Sequence, residues 1–177
     1  MFLGYKPKNH PQQTRARGPG NLELFERPSL TDQTDDRRTP DDVFIPISDR
    51  FGGFTLDAAA SEGSSKCGQF YTKAQNGLLH SWAGERVWCN PPYSDIGSWV
   101  QKAWTEREVA ELIVMLLPAN RTEQAWWQDY VEPFRDRPGS GLSVEFLRGR
   151  LRFIMPGHAG VEPNQRPPFG CCLLIFS

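Results

Sequence analysis

Asn90-Pro91-Pro92-Tyr93 is the stretch whose residue types and spacing could do chemistry. It follows the apolar run Val87-Trp88-Cys89, and a strand must end where proline removes the backbone donor. Two consecutive prolines fix φ twice, so the peptide leaving that strand is stiff. Stiffness would hold the Asn90 side-chain oxygen, the Pro91 carbonyl and the Tyr93 ring in one geometry, as preorganised acceptors beside a stacking face require. Two acceptors suit the two hydrogens of an exocyclic amino group, and the ring suits the face of the planar base that carries it. Such a nitrogen is a poor nucleophile because its lone pair is delocalised. Acceptors that draw its hydrogens out of plane make it more tetrahedral and ready to attack an electrophilic methyl group. The competing reading is a plain strand followed by a proline turn, in which Tyr93 only packs.

The stretch resembles the catalytic motif of amino-group methyltransferases that use S-adenosylmethionine. Further short motifs agree in order and spacing with the phage-type DNA N6-adenine methyltransferases: Thr39-Pro40, Phe54 to Ser61, Lys66-Cys67, Phe70-Tyr71-Thr72, Asn76-Gly77-Leu78, Trp82 and then Val87 to Tyr93. The similarity covers roughly residues 35 to 177. It implies an abbreviated Rossmann-like α/β fold, mostly parallel with an antiparallel last strand, and direct in-line methyl transfer without a covalent intermediate or a metal. It also implies that Asn90, Pro91, Pro92 and Tyr93 hold a flipped adenine, and that Thr39 and Pro40 lie against the methionine part of the cofactor. Many relatives carry Asp where this chain has Asn76, which the resemblance sets beside the cofactor adenine. A protein glutamine amide is as planar and as poorly nucleophilic as adenine, so a glutamine-amide methyltransferase remains an alternative, as does a non-catalytic DNA-binding module.

Several elements must position these residues. Thr39-Pro40-Asp41-Asp42 reads as a helix start, with a hydroxyl cap, proline in the first turn and two acids at the positive end of the dipole. Cap chemistry alone would also account for Thr39 and Pro40. The helix should run to about Arg50, with a kink or break at Pro46. Phe54 to Leu56 reads as a short strand ending at Asp57, with Ala58, Ala59, Ala60 and Ser61 behind it. Ligands of open α/β sheets bind at carboxyl strand ends, and small side chains let a cofactor approach the backbone. Asp57, Ala58 and Ala59 are therefore candidate cofactor contacts, although a strand-end acid can simply cap the next segment. Between Asp57 and Val87 there is room for one short helix and one short strand, the latter at Phe70 to Thr72.

After Tyr93, Ile96, Trp99, Val100, Ala103 and Trp104 fall at helical spacing behind a Ser94 or Asp95 cap, which makes both tryptophans core residues. Leu112 to Leu117 is a continuous apolar run, as expected of a central parallel strand, and strand-helix-strand implies a right-handed crossover. A second helix should open behind Thr122, with Trp126, Trp127, Tyr130 and Val131 on its apolar side. Arg121 beside it is a candidate DNA contact. Val144 to Leu147 and Leu151 to Ile154 are expected to pair as a hairpin around Arg148-Gly149-Arg150. Arg148, Arg150 and Arg152 there are either a phosphate grip or a solvated turn. Gly170 to Phe176 closes the sheet.

The 177 residues suit one domain, with residues 1–36 as a mobile arm and 37–177 as the methyltransferase domain. The arm carries Lys6, Lys8, Arg15 and Arg17 but too few apolar residues to order itself, and its charges either touch phosphates or are solvated. An apolar fraction of 38% with six tryptophans argues for a packed globule, and a net charge of -1 gives no global attraction to nucleic acid, so DNA contact must be local. Discrimination among sequences is expected from loops near 136–143 and 156–168. No apolar run approaches the ~18 residues that span a membrane, and no secretory pattern opens the chain, so a cytoplasmic protein is expected. Cys67, Cys89, Cys171 and Cys172 show no paired ligand spacing with the histidines, so they read as reduced core residues and no metal is expected.

Overall fold

A computed structural model describes residues 35–61, 63–155, 157–161 and 167–177. In chain order the elements are α1 (Asp41–Arg50), β1 (Leu56–Ala60), β2 (Gln69–Thr72), a 3-10 turn (Gly77–Leu79), β3 (Arg86–Cys89), α2 (Ile96–Glu106), β4 (Leu112–Pro118), α3 (Ala125–Tyr130), β5 (Leu142–Phe146) and β6 (Cys171–Phe176). The six strands form one sheet in the order β2-β1-β3-β4-β6-β5. β2, β1, β3 and β4 are parallel to their neighbours, and β6 is inserted antiparallel between β4 and β5.

Residue chemistry explains the order. Every residue of β4 and of β6 is buried, so these two runs can sit only where both faces of the sheet are covered. β2 is short and has no fully buried residue, as befits an edge. Trp88 of β3 meets Phe44 of α1 edge-on at 5.2 Å and Phe54 at 5.7 Å, which anchors α1 to the sheet. Trp104 of α2 packs on Phe134 and on Phe176 of β6, at 4.4 and 6.4 Å between ring centroids.

Five expectations about local structure change. α1 starts one residue later than the cap reading requires: Pro40 is the cap residue and the Thr39 hydroxyl makes no cap bond. α1 is not broken at Pro46, which is exposed and flanked by buried Phe44 and Ile47. β1 begins at Leu56 and runs through the alanines, so Asp57 lies inside the strand and the alanines form its carboxyl end. α3 is capped at Gln124, not Thr122; the Thr122 carbonyl instead accepts from Gln128 Nε2. Finally, Leu151 to Ile154 does not pair with β5. β5 is taken by β6, and Ile154 bridges antiparallel to Arg38.

Residues 1–34, with Lys6, Lys8, Arg15 and Arg17, lie outside the described residues, but Asp35 and Asp36, expected in the arm, are placed against the domain: Asp35 accepts from Ser94 N at 2.9 Å.

Gly77 is where one side chain decides the packing. A Cβ there would lie 2.1 Å from the Ala58 carbonyl oxygen and 3.3 Å from the Trp99 ring, so the turn after β2 touches the backbone of β1 directly. Overpacking of this kind costs about 1 to 3 kcal/mol. Gly77→Ala should therefore lower the melting temperature by roughly 2 to 12 °C for a domain of this size. Thermal melting checks this, and an unchanged midpoint would contradict the close approach.

Candidate active site

β1, β3 and β4 end along one edge of the sheet, and the Asn-Pro-Pro-Tyr turn leaves that edge directly after Cys89. Because Pro91 and Pro92 have no N–H, the turn cannot be tied down by a ladder, and three outside groups hold it instead. Asp35 accepts from both the backbone N and the hydroxyl of Ser94. Arg121 Nη1 donates to the Tyr93 carbonyl at 2.8 Å. Asn90 Nδ2 donates to the Arg37 carbonyl at 2.8 Å.

The last bond fixes the chemistry of Asn90. With Nδ2 engaged, Oδ1 is left buried and without a hydrogen-bond partner. Among the described residues, Arg37 Nε and Thr39 Oγ1, on the segment that crosses the motif, share that condition; the Tyr93 hydroxyl also lacks a well-formed bond but lies beside the Cys171 thiol of β6. Burying a polar group unpaired costs free energy, and its concentration in one place marks a site built for a polar ligand.

Two neighbouring cavities lie at this edge, and Asn90 lines the smaller. The larger, about 860 Å³, is lined by Ala58 to Ser61, Tyr71 to Lys73, Asn76 to Leu78, Pro92, Ser94 and Trp99. That volume is in the usual range for a small-molecule site, about 300 to 1,000 Å³. The smaller, about 30 Å³, is bounded by Arg37 to Thr39, Asp57, Ser64, Lys66, Trp88 and Asn90, and shares Ala59 to Ser61 with the first. Of the expected cofactor residues, Ala58, Ala59 and Asn76 line the larger cavity, and Thr39, Asp57, Ala59 and Asn90 the smaller. Pro40 is buried and lines neither.

Asn76 adopts φ 55°, and its Oδ1 accepts from Leu78 N at 3.2 Å, capping the 3-10 turn; its amide N–H groups remain for a ligand. Asp57 accepts from Lys66 N at 3.0 Å and Ala59 N at 3.3 Å, joining β1 to the 63–67 loop. Lys66 Nζ in turn pairs with Asp41 at 2.5 Å, which ties that loop to α1.

Tyr93 is packed, not open. It is only 6% exposed, its ring lies edge-on to Phe153 at 6.2 Å and tilted to Phe169 at 6.0 Å, so it presents no free face for stacking. Burial, and then the neighbouring Cys171 thiol, push its phenol well above the usual value. Arg121 is half-buried, and its Nη1 donates to the Tyr93 carbonyl, so it positions the motif. Arg148, Arg150 and Arg152 are exposed, and no ion pair holds them among the described residues. They lie on a segment that runs from the end of β5, where Leu147 N donates to the Cys171 carbonyl at 2.9 Å, to the Ile154–Arg38 bridge beside the motif. The loop at 136–141, by contrast, enters β5 at Leu142, opposite Phe176 and hence near the start of β4, at the far edge from Asn90. It cannot reach a base held there. Of the other loop expected to discriminate, 156 and 162–166 lie outside the described residues.

The sequence reading missed Asp35 and Asp36, assigned to the arm, and Trp99, assigned to the core. Trp99 is both: its ring stacks on Trp82 at 6.4 Å and its edge faces the larger cavity. Its position in the first turn of the helix after the motif was the available signal.

A mostly parallel sheet with an antiparallel sixth strand and a ligand-sized cavity at its carboxyl edge defines the Rossmann-like fold of S-adenosylmethionine-dependent methyltransferases. The crystal structure of a Pyrococcus horikoshii protein, provisionally named an RNA methyltransferase, superimposes with a TM-score of 0.50 over 86% of this chain and 90% of that one; at 14% identity the likeness is one of fold. The chain belongs to the DNA N-6-adenine-methyltransferase (Dam) family, whose pattern residues 28–176 match. It is 40% identical over 92 residues to the DNA N-6-adenine-methyltransferase of Escherichia phage T1, and 36% identical over 64 residues to that of Haemophilus phage HP1. These matches cover 51% and 36% of this chain, and only 38% and 37% of the two phage proteins. A provisionally named methyltransferase of Escherichia coli strain K12, YfdM, is 37% identical over 81 residues, which are 41% of this chain and 88% of that protein.

Burial raises the Asp57 carboxyl to about 6, against the hydrogen bonds from Lys66 and Ala59 that favour its charge. A carboxyl that binds its proton more tightly when folded stabilises the fold most below its unfolded value near 4, and that contribution is lost as pH rises through about 6. The stability of the wild type relative to Asp57→Asn should therefore fall by roughly 3 kcal/mol between those limits. Melting both proteins across that interval checks the sign, and a constant difference would contradict it.

Proposed function

We propose that this chain transfers a methyl group from S-adenosylmethionine to the N6 amino group of adenine in DNA. The observation that carries the reading is the Asn90 amide, held by the Arg37 carbonyl with Oδ1 free, at a carboxyl strand edge in a small pocket that shares the wall Ala59 to Ser61 with a cavity of about 860 Å³. Family membership supplies the nucleotide class.

The residues present fit the cofactor. The backbone of Ala58 to Ser61 carries no bulky side chain, Gly77 closes on Ala58, and Asn76 offers amide hydrogens, so the larger cavity can take a nucleoside. Asp57, Lys66 and Ser64 around the smaller cavity match the charged amino-acid end. When bound, S-adenosylmethionine supplies an electrophilic methyl group on a sulfonium. Asn90 Oδ1 and the Pro91 carbonyl accept the two hydrogens of the adenine amino group, which localises its lone pair. The rigid Pro91-Pro92 peptide and Arg121 hold these acceptors in place, so no reorganisation accompanies reaction. Asn90 has no ionisable group, and the amino proton leaves to water.

Tyr93 offers its ring to the base only when Phe153 or Phe169 moves aside. Base entry is thereby coupled to the segment that carries Arg148, Arg150 and Arg152, which grips phosphate. With a net charge of -1, this local cluster provides the attraction that the whole chain lacks. Among the described residues no helix is long and apolar enough to cross a membrane, and a DNA substrate places the work in the cytoplasm, of a bacterial host where the chain is phage-encoded.

Incubation with S-adenosylmethionine and plasmid DNA, digestion to nucleosides and mass spectrometry tests the reading. N6-methyladenine should appear with wild type and fall at least about a hundredfold with Asn90→Ala. Methyl incorporation into protein glutamine in place of DNA would overturn it.

A further inference from the structure

Asparagine at position 90 carries no charge that could stabilise the ammonium developing on the methylated nitrogen, which an aspartate would provide. The surroundings explain the choice. Residues 35–38 form a strap across the motif, pinned at both ends: Asp35 holds Ser94, and Arg38 N and O pair with Ile154 O and N at 3.0 and 2.9 Å. Between the pins, the Arg37 carbonyl sits 2.8 Å from Asn90 Nδ2. A carbonyl oxygen can only accept, so whatever atom occupies that place on residue 90 must carry hydrogen.

We propose that the strap Asp35–Arg38 belongs to the catalytic apparatus as a positioning element: by taking up the Nδ2 hydrogen at the Arg37 carbonyl it leaves Oδ1 as the one free acceptor, and so makes a neutral amide the required side chain at position 90. Its kinetic part rests on the proposed adenine methylation; its structural part does not. An ionised carboxylate at this position would set an oxygen against the Arg37 carbonyl oxygen and be driven out of place. A protonated carboxyl would not, because its O–H can donate to Arg37 and its other oxygen remains an acceptor, reproducing the amide.

Asn90→Asp in the full chain is the test, measured at saturating cofactor and referred to wild type at each pH. At about pH 8 its kcat for methyl transfer should lie about a hundredfold below wild type, and the deficit should shrink at least about tenfold as the pH is lowered towards 5.5. The melting difference between the two proteins should shrink over the same range, which reads the strap contact without reference to activity. Asp35→Ala, which frees one pin, should lower kcat in the wild-type background and reduce the penalty of Asn90→Asp. Equal activity of Asn90→Asp and wild type, or a deficit and a melting difference that both ignore pH, would overturn the strap. If Asn90→Asp does not fold at any pH, Asp35→Ala decides, and an unaltered kcat overturns the proposal. If wild type makes no methyladenine, the proposed function fails, and the melting difference alone judges the strap.

Discussion

The pair of prolines after β3 is the constraint on which the rest of the site depends. A strand continued by ordinary residues would satisfy its own backbone through the sheet. Here the chain leaves the carboxyl edge with two peptide nitrogens that cannot donate, and the groups that fix the turn must come from elsewhere in the sequence. Asp35 and Arg37 come from before α1, and Arg121 from after β4. Segments far apart in the chain are thus committed to one small volume, where Asn90 Oδ1, Arg37 Nε and Thr39 Oγ1 are left buried without hydrogen-bond partners. Those unpaired atoms lower stability, and the fully buried strands β4 and β6 beneath them are what sustain it.

Under the proposed function, the same arrangement lets a nearly neutral chain engage a polyanion. Positive charge is not spread over the surface. Arg121 holds the Tyr93 carbonyl, while Arg148, Arg150 and Arg152 are carried by the segment that passes from β5 to the strap. Phosphate contact at that segment is mechanically close to Phe153, and through it to Tyr93. Under the proposed function, binding of the backbone and exposure of the ring that meets the base are then parts of one movement.

Much of this was legible in the sequence, for definite reasons. The runs Leu112 to Leu117 and Gly170 to Phe176 are apolar throughout, and only central strands bury both faces, so the middle of the sheet and the strand that closes it were readable. The motif was readable because proline acts locally. The hairpin at Arg148 to Arg150 was misread because the partner of Ile154 is Arg38, more than a hundred residues earlier in the chain, and not β5. Asp57 was placed at the end of its strand because alanine favours helix and is depleted in strands, so the three alanines that continue β1 were assigned to the next segment. The strap was invisible: its contribution to Asn90 is a backbone carbonyl, which carries no residue signature at all.

The central claim is that the carboxyl edge holds the methyl donor between the end of β1 and the turn after β2, next to the free oxygen of Asn90. Amide hydrogen exchange with and without S-adenosylmethionine tests it most directly. Ligand-dependent protection should concentrate at residues 58–61 and 76–79, where the cavity wall is backbone. Binding without protection there, or protection confined to the amino edge around 136–141, would contradict the account.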